Sequence, residues 1–360
     1  MSEETLISEE VLISAEAGIG RIRLNRPQAI HALTRAMCDT MSEALLDWRS
    51  DPKIEVVIID HAQGRGFCAG GDVVMLARSG AADGDLAAAF FHSEYRLNHL
   101  LFTYPKPTMA LMDGITMGGG VGIAMPCTYR IATENTRLAM PETSIGLFPD
   151  VGGGWYLSRL PGRVGQFMVL TGARLDGAEC HYLGLATNFV PHSALEELVE
   201  RIARMPSRIG GVLGAAAAKP PDAKIAGNQA SIARAFASDR LEEIEAALEA
   251  DGGDWATSEL ATIRTKSPLS CKVSLRLLAE GATRRSFADE MTAEYALAAR
   301  VVRTHDFREG VRALLIDKDN EPKWDPPSAE EVTDEMLDEL FEPLSEDQRW
   351  IPFPAAGGTP

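Results

Sequence analysis

The 360-residue chain lacks most of the signatures that assign a function at a glance. No apolar run approaches the length of a membrane span, which excludes a helical membrane protein. The start, MSEETLISEEV, is acidic and has neither the basic-then-apolar layout of a signal peptide nor the Arg-rich character of a transit peptide, so a cytoplasmic location is expected. Basic residues are outnumbered: 35 Lys and Arg against 52 Asp and Glu leave a net charge of −17, which argues against nucleic acid as a partner. An anionic small ligand stays compatible, because one local basic patch can dominate a site. The five cysteines (38, 68, 127, 180, 271) are odd in number, widely spaced and form no C-x-x-C, so neither a disulfide framework nor a zinc site is indicated and buried free thiols are expected.

Motifs of the common catalytic classes are missing as well. There is no G-x-x-x-x-G-K-[ST], no H-E-x-x-H and no G-x-S-x-G, which removes Walker-type phosphate binding, zinc hydrolysis and the nucleophile elbow. The seven histidines have no metal-ligand spacing; His92 and His99, one heptad apart on a predicted helix, read as packing or surface residues. Gly64-x-Gly66-x-x-Ala69 follows a predicted strand and matches a dinucleotide fingerprint superficially. The residues after it do not read as a clean helix leading to a second strand that ends in an acid, so that reading is set aside.

What the chain does contain is concentrated between Lys106 and Leu160. Thr108 to Met112 is an apolar run ending at Asp113-Gly114, a buried strand followed by a turn. Gly118-Gly119-Gly120 then opens a small-residue helix over Val121 to Met125, leaving backbone N–H groups bare. Tyr129 to Thr133 and Arg137 to Met140 read as two more strands, followed by Glu142 in MPET and Asp150 in FPDVGGG. Alone, Glu142 reads as a cap or a solvated loop acid, and Asp150 as an N-cap for a helix over Val151 to Leu160. Together, bare amides with two acids beside them suit carbonyl chemistry.

Elsewhere, Val11 to Ser14 and Gly20 to Leu24 predict a hairpin, Thr34 to Trp48 an amphipathic helix and Val56 to Asp60 a buried strand. Ser79 to Asp85 reads as a mobile loop before a helix over Leu86 to Leu101. Strands, helix and strand recur around two glycine turns, Gly70-Gly71 and Gly118 to Gly120, which suggests a repeating spiral. After Leu160 the chain is mostly helical, with a strand-like Ala186 to Val190 and a boundary in the Gly-, Ala- and Pro-rich 210–221 stretch. Two regions are therefore expected: a core over 1–210 and a helical region over 211–360. Ser328 with Glu331 predicts the start of an acidic terminal helix, and AAGGTP should be disordered.

FCAGGD, then ITMGGGVGIAM, then AMPETSIGLFPDVGGGWYLSRL resembles the enoyl-CoA hydratase/isomerase (crotonase) superfamily, closest to its 3-hydroxyisobutyryl-CoA hydrolase branch. The likeness extends to NRPQAIHALT, EYRLN, SPLSCKVSLRLL and HDFREGVRALLIDKDNEPKW, covering roughly residues 11 to 325. It implies an α/β spiral of ββα repeats with a helical C-terminal region, and an acyl-CoA partner that is itself the substrate, with no other cofactor. Trimers or dimers of trimers are common in such proteins, so a homo-oligomer is possible unless the long C-terminal region blocks that packing. The N–H groups matching Gly71 and Gly119 would form an oxyanion hole, and Ala69 would meet the adenine end of CoA. Of the two glutamates of crotonase-type hydratases, one matches Glu142 and the other falls at Gly122, which has no side chain. Asp150 matches the second acid of the hydrolase branch and Glu94 its substrate-contacting glutamate. His31 stands where Asn is common, which bears on the CoA pocket. The implied activity is hydrolysis of a short 3-hydroxyacyl-CoA, foremost 3-hydroxyisobutyryl-CoA of valine breakdown. The alternatives are a single-glutamate hydratase or isomerase, and a non-catalytic acyl-CoA-binding protein.

Overall fold

Val11–Glu16 (β1) and Ile19–Leu24 (β2) pair antiparallel, with Val11 opposite Leu24, through a turn at Ala17 and Gly18 in which both residues have positive φ. The hairpin is one edge of a six-stranded sheet completed by Val56–His61 (β3), Thr108–Met112 (β5), Tyr129–Ala132 (β7) and Asn188–Phe189 (β10), in the order β1-β2-β3-β5-β7-β10. From β2 onward every pairing is parallel. A smaller sheet is built from Gly66–Cys68 (β4), Ile115–Met117 (β6), Arg137–Ala139 (β8) and Leu175–Asp176 (β9), in the order β4-β6-β8-β9. The pairs β3-β4, β5-β6 and β7-β8 thus each give one strand to the large sheet and the next to the small sheet before a helix follows, which is the expected ββα spiral. The structure is a computed structural model and describes residues 9–354; the disorder expected for AAGGTP falls outside the described residues.

Parallel strands with both faces covered read as unbroken apolar runs. In β3 the alternation sends Val57 and Ile59 into the main core, while Val56 and Ile58 face a second, smaller cluster. That outer cluster is closed by Leu198 and Ile202 of the helix Leu195–Arg204 and by Ile209, Val212 and Leu213 of the helix Ile209–Ala216. The boundary expected at 210/211 therefore falls inside a helix that packs on the sheet.

The helices preceding these two are Arg35–Ser50 (α1), Val73–Gly80 (α2), Asp85–Phe102 (α3), Gly119–Ala124 (α4), Gly153–Leu157 (α5), Val164–Thr171 (α6) and Gly177–Tyr182 (α7), so the two just named are α8 and α9. Thereafter come Gln229–Ala235 (α10), Leu241–Asp251 (α11), Asp254–Ile263 (α12), Pro268–Gly281 (α13), Phe287–Val301 (α14), His305–Val311 (α15) and Asp334–Phe341 (α16). The late helices share the main core with the spiral: Leu277, Met291 and Phe307 belong to the same buried cluster as Met37, Phe90 and Leu97. α14 runs along α3, where Tyr295 meets Tyr95 edge-on and Phe287 stacks on His99. His92 and His99 are thus packing residues, and all five cysteines are buried and unpaired.

Several expectations are corrected. The residues after GRGFCAGGD do form a helix, α2, started by Asp72, whose carboxylate accepts from the Met75 amide; the loop before α3 shrinks accordingly. β4 and β6 escaped detection because three residues are too few to show alternation. Ser328 starts only a short 3-10 turn; the terminal helix begins five residues later, where the Thr333 hydroxyl accepts from the Met336 amide.

A shared core has a measurable consequence. Leu277→Ala, at a fully buried position of α13, is expected to cost about 2–5 kcal/mol and to shift one cooperative unfolding transition. Separate transitions for the spiral and the helical region would contradict it.

Candidate functional site

The site is built where the two glycine turns meet. β4 runs into Ala69-Gly70-Gly71, which Leu33 pins: the Leu33 amide donates to Gly70 O at 2.7 Å and the Asp72 amide to Leu33 O at 3.1 Å. These bonds use the carbonyl before Gly71 and the amide after it, and leave the Gly71 N–H free. β6 runs into Gly118, at φ +47, and Gly119 opens α4, where a first-turn amide has no acceptor within its helix. The turns touch: a Cβ on Gly70 would stand 3.4 Å from Met117 O and 3.6 Å from Gly119 N. Among the described residues neither the Gly71 nor the Gly119 N–H has an acceptor.

Three carboxyl groups converge on the same place. Glu94 lies mid-way along α3, and its Oε1 occupies the space that a Cβ on Gly119 would need. Glu142 opens a single 3-10 turn after β8, and its Oε1 lies 3.0 Å from where a Cβ on Gly118 would stand. Asp150 ends the loop before α5 and accepts a 2.8 Å hydrogen bond from the Tyr95 hydroxyl. A cavity of about 340 Å³ is lined by Ala69, Gly71, Glu94, Gly119, Glu142 and Asp150, so every residue expected at the site is in its wall.

These acids are nearly or fully out of water and have no basic partner: no Lys or Arg forms a salt bridge with any of them among the described residues. Burial, then the charge of Asp150, pushes the Glu142 carboxyl well above its ordinary range. Glu94 is pushed up by burial and by both neighbours. Asp150 is raised by burial to about 7, with the Tyr95 hydroxyl pulling the other way. Like charges this close and this dry do not all ionise together. The cluster therefore keeps a proton near neutral pH, as acid–base chemistry requires.

Asp150 does not cap α5, as its sequence position allowed. The amides at that helix start are taken by Glu294 of α14, which accepts from Gly152 N at 2.7 Å and Gly154 N at 3.1 Å. Nor does His31 touch the cavity. It is fully buried in a turn, where Nδ1 accepts from the Arg26 amide and Nε2 donates to Gln63 O. Gly122 has no room for a glutamate, since a Cβ there would lie 2.5 Å from Val151 Cβ. Sequence reasoning missed Tyr95 and Glu294, together with Arg174, Leu314 and Leu315 of the cavity wall. Tyr95, Leu314 and Leu315 lie inside the quoted resemblance blocks; Glu294 and Arg174 carried no signal.

Two interleaved sheets with free glycine amides facing carboxyl groups define a protein of the crotonase fold. The chain belongs to the enoyl-CoA hydratase/isomerase family, whose profile matches residues 19–341. It is 42% identical to the chicken (Gallus gallus) protein named 3-hydroxyisobutyryl-CoA hydrolase, mitochondrial, over 93% of this chain and 89% of that one. Identity to the human protein of the same name is 41%, covering 96% and 91%. Among solved structures it is similar to one described as a carnitinyl-CoA dehydratase from Mycobacterium thermoresistibile (TM-score 0.90, 39% identity, 94% of this chain and 98% of that one). An enoyl-CoA hydratase from Rhodobacter sphaeroides superposes with TM-score 0.88 at 38% identity, covering 95% and 99%.

The buried Asp150 carboxyl makes stability depend on pH. Its folded-state pKa is raised, so the proton is held more tightly when folded, and stability falls as pH rises from the ordinary carboxyl range towards about 7. Asp150→Asn keeps an acceptor for Tyr95 but cannot ionise. Its stability gain over the parent is expected to be larger at pH 8 than at pH 5, by about 2–3 kcal/mol. An equal gain at both values in paired thermal melts would contradict that.

Proposed function

We propose that this protein hydrolyses the thioester of a short 3-hydroxyacyl-CoA, with 3-hydroxyisobutyryl-CoA as its substrate. The observation that carries the reading is the pairing of Glu142 with Asp150 beside two unused amides, at a site where Gly122 leaves no space for a second hydratase glutamate. The Gly71 and Gly119 N–H groups would take the thioester oxygen as it gains charge, a donor of this kind being worth about 10²–10³ in rate. Glu142 then either takes a proton from water or attacks the carbonyl itself to give a mixed anhydride that water opens. On either route a C–O bond forms, the C–S bond breaks, and a proton reaches the departing CoA sulfur. Asp150, titrating near neutrality, is suited to carry that proton.

Glu94 is suited to the 3-hydroxyl. Its Oε1 is buried without a hydrogen-bond partner among the described residues, so an acyl chain that brings a donor satisfies it, and one that lacks the hydroxyl leaves it unpaired. The apolar part of the wall, with Phe90, Leu314 and Leu315, accepts a short branched chain. Binding energy for positioning would come from the long CoA handle, remote from the reacting carbon.

A substrate panel followed for free thiol tests this. Rapid release from 3-hydroxyisobutyryl-CoA, with slower or no reaction of crotonyl-CoA, is expected. Fast hydration of crotonyl-CoA without thiol release from the hydroxyacyl ester would favour the hydratase that the solved relatives' descriptions suggest. Glu142→Gln is expected to lower kcat by about 10²–10⁴-fold while acyl-CoA still binds; binding without turnover in both forms would instead mark a carrier protein.

A further inference from the structure

Asp150 is followed by an unusual piece of backbone. Val151, a β-branched residue, has φ +56, and Gly152 has φ +89, so two consecutive residues lie in the left-handed region. β-Branched residues avoid that region, and the turn needs outside contacts to persist. One contact is steric: Val151 is buried and fills the space over Gly122. The other is polar. Both oxygens of Glu294 accept backbone N–H groups of this turn, Oε2 from Gly152 and Oε1 from Gly154, across more than 130 residues of chain.

Glu294 is fully buried, and burial and the neighbouring Glu290 carboxyl, to which it is also hydrogen-bonded, push its own carboxyl well above the ordinary range. Glu290, one helical turn earlier on α14, is occupied by Arg284 at 3.2 Å and packs over Gly154. The same helix meets α3 through Tyr295 and Tyr95. Asp150 is thereby fixed from two directions: the Tyr95 hydroxyl holds its carboxylate, and Glu294 holds the Gly152 and Gly154 amides of the turn that follows it.

We propose that Glu294 is a positioning residue for Asp150, acting through the Val151-Gly152 turn; this rests on the reading of Asp150 as an acid of the hydrolytic site. Glu294 makes no contact with the cavity, so its effect on the reaction runs through Asp150 alone. It does not set CoA affinity.

The test is a double-mutant cycle on the full chain with 3-hydroxyisobutyryl-CoA. Glu294→Gln keeps the shape but sets an amide donor against one of the two N–H groups. It is expected to lower kcat about 10–100-fold with KM within about threefold, while thermal melts show a folded protein. Placed on Asp150→Asn, whose residual turnover is read at high enzyme concentration, the same change is expected to cost nothing further. An equal fold-loss in both backgrounds would make Glu294 merely structural and overturn the inference, as would wild-type kcat in Glu294→Gln. Should Glu294→Gln fail to fold, Glu294→Asp, which keeps two acceptors on a shorter stem, is expected to show the same kcat-only, Asp150-dependent loss; its absence overturns the inference equally. Full activity of Asp150→Asn alone is a different failure, since it removes Asp150 from the chemistry whatever Glu294 does.

Discussion

The arrangement depends on two main-chain turns that lie within van der Waals reach of each other at positions that favour glycine, Gly70 by its φ of +113 and Gly119 by the Glu94 oxygen beside it. Gly70 faces the Met117 carbonyl and the Gly119 amide, and Gly119 and Gly118 are backed by carboxylate oxygens of Glu94 and Glu142. A Cβ at Gly119 would displace Glu94. Close approach of this kind is a standard use of glycine, and here it leaves two N–H groups without acceptors among the described residues at the wall of a cavity. Each turn follows a short strand of the small sheet, and adjacent strands of that sheet, β4 and β6, are hydrogen-bonded to each other. The spacing between the two amides is therefore set by this strand pairing.

Against these donors the fold sets three acids that form no salt bridge among the described residues. Burying carboxylates unpaired is costly, and proteins meet that cost by retaining protons. The rest of the architecture sustains it. α3 supplies Glu94 and Tyr95 from consecutive positions, and α14 packs on α3 while gripping the loop that carries Asp150. The C-terminal helices are thus part of the site's frame and share one apolar core with the spiral. They also supply Leu314 and Leu315 to the cavity wall.

Relatives described as hydrolases, hydratases and a dehydratase share this fold, so fold alone does not choose among their reactions. The choice rests on local chemistry. Val151 occupies the space over Gly122, which excludes a side chain at that position, while Asp150 lines the cavity from the neighbouring turn. Moving the second acid moves the water or proton it serves. That favours a reaction in which the thioester bond itself is broken.

Much of this was legible in the amino-acid order because it rests on local physics. Apolar runs identified β3, β5 and β7, helical spacing identified α1 and α3 and most of the later helices but neither α9 nor α15, and the glycine clusters marked where backbone would be bare. The resemblance blocks contained all six expected site residues, and the missing side chain at Gly122 could be read directly. The three-residue strands β4 and β6 were not legible, since their identity comes from pairing partners and not from any period of their own. Nor was the fate of Asp150, whose sequence context suits a helix cap equally well. Tyr95 and Glu294 decide that question from positions 55 residues before it and 144 after it, and such contacts exist only once α3 and α14 have packed. Sequence alone determined which groups are available for the chemistry; tertiary packing decided which of them meet, which lose water and so keep a proton, and which only hold the others in place.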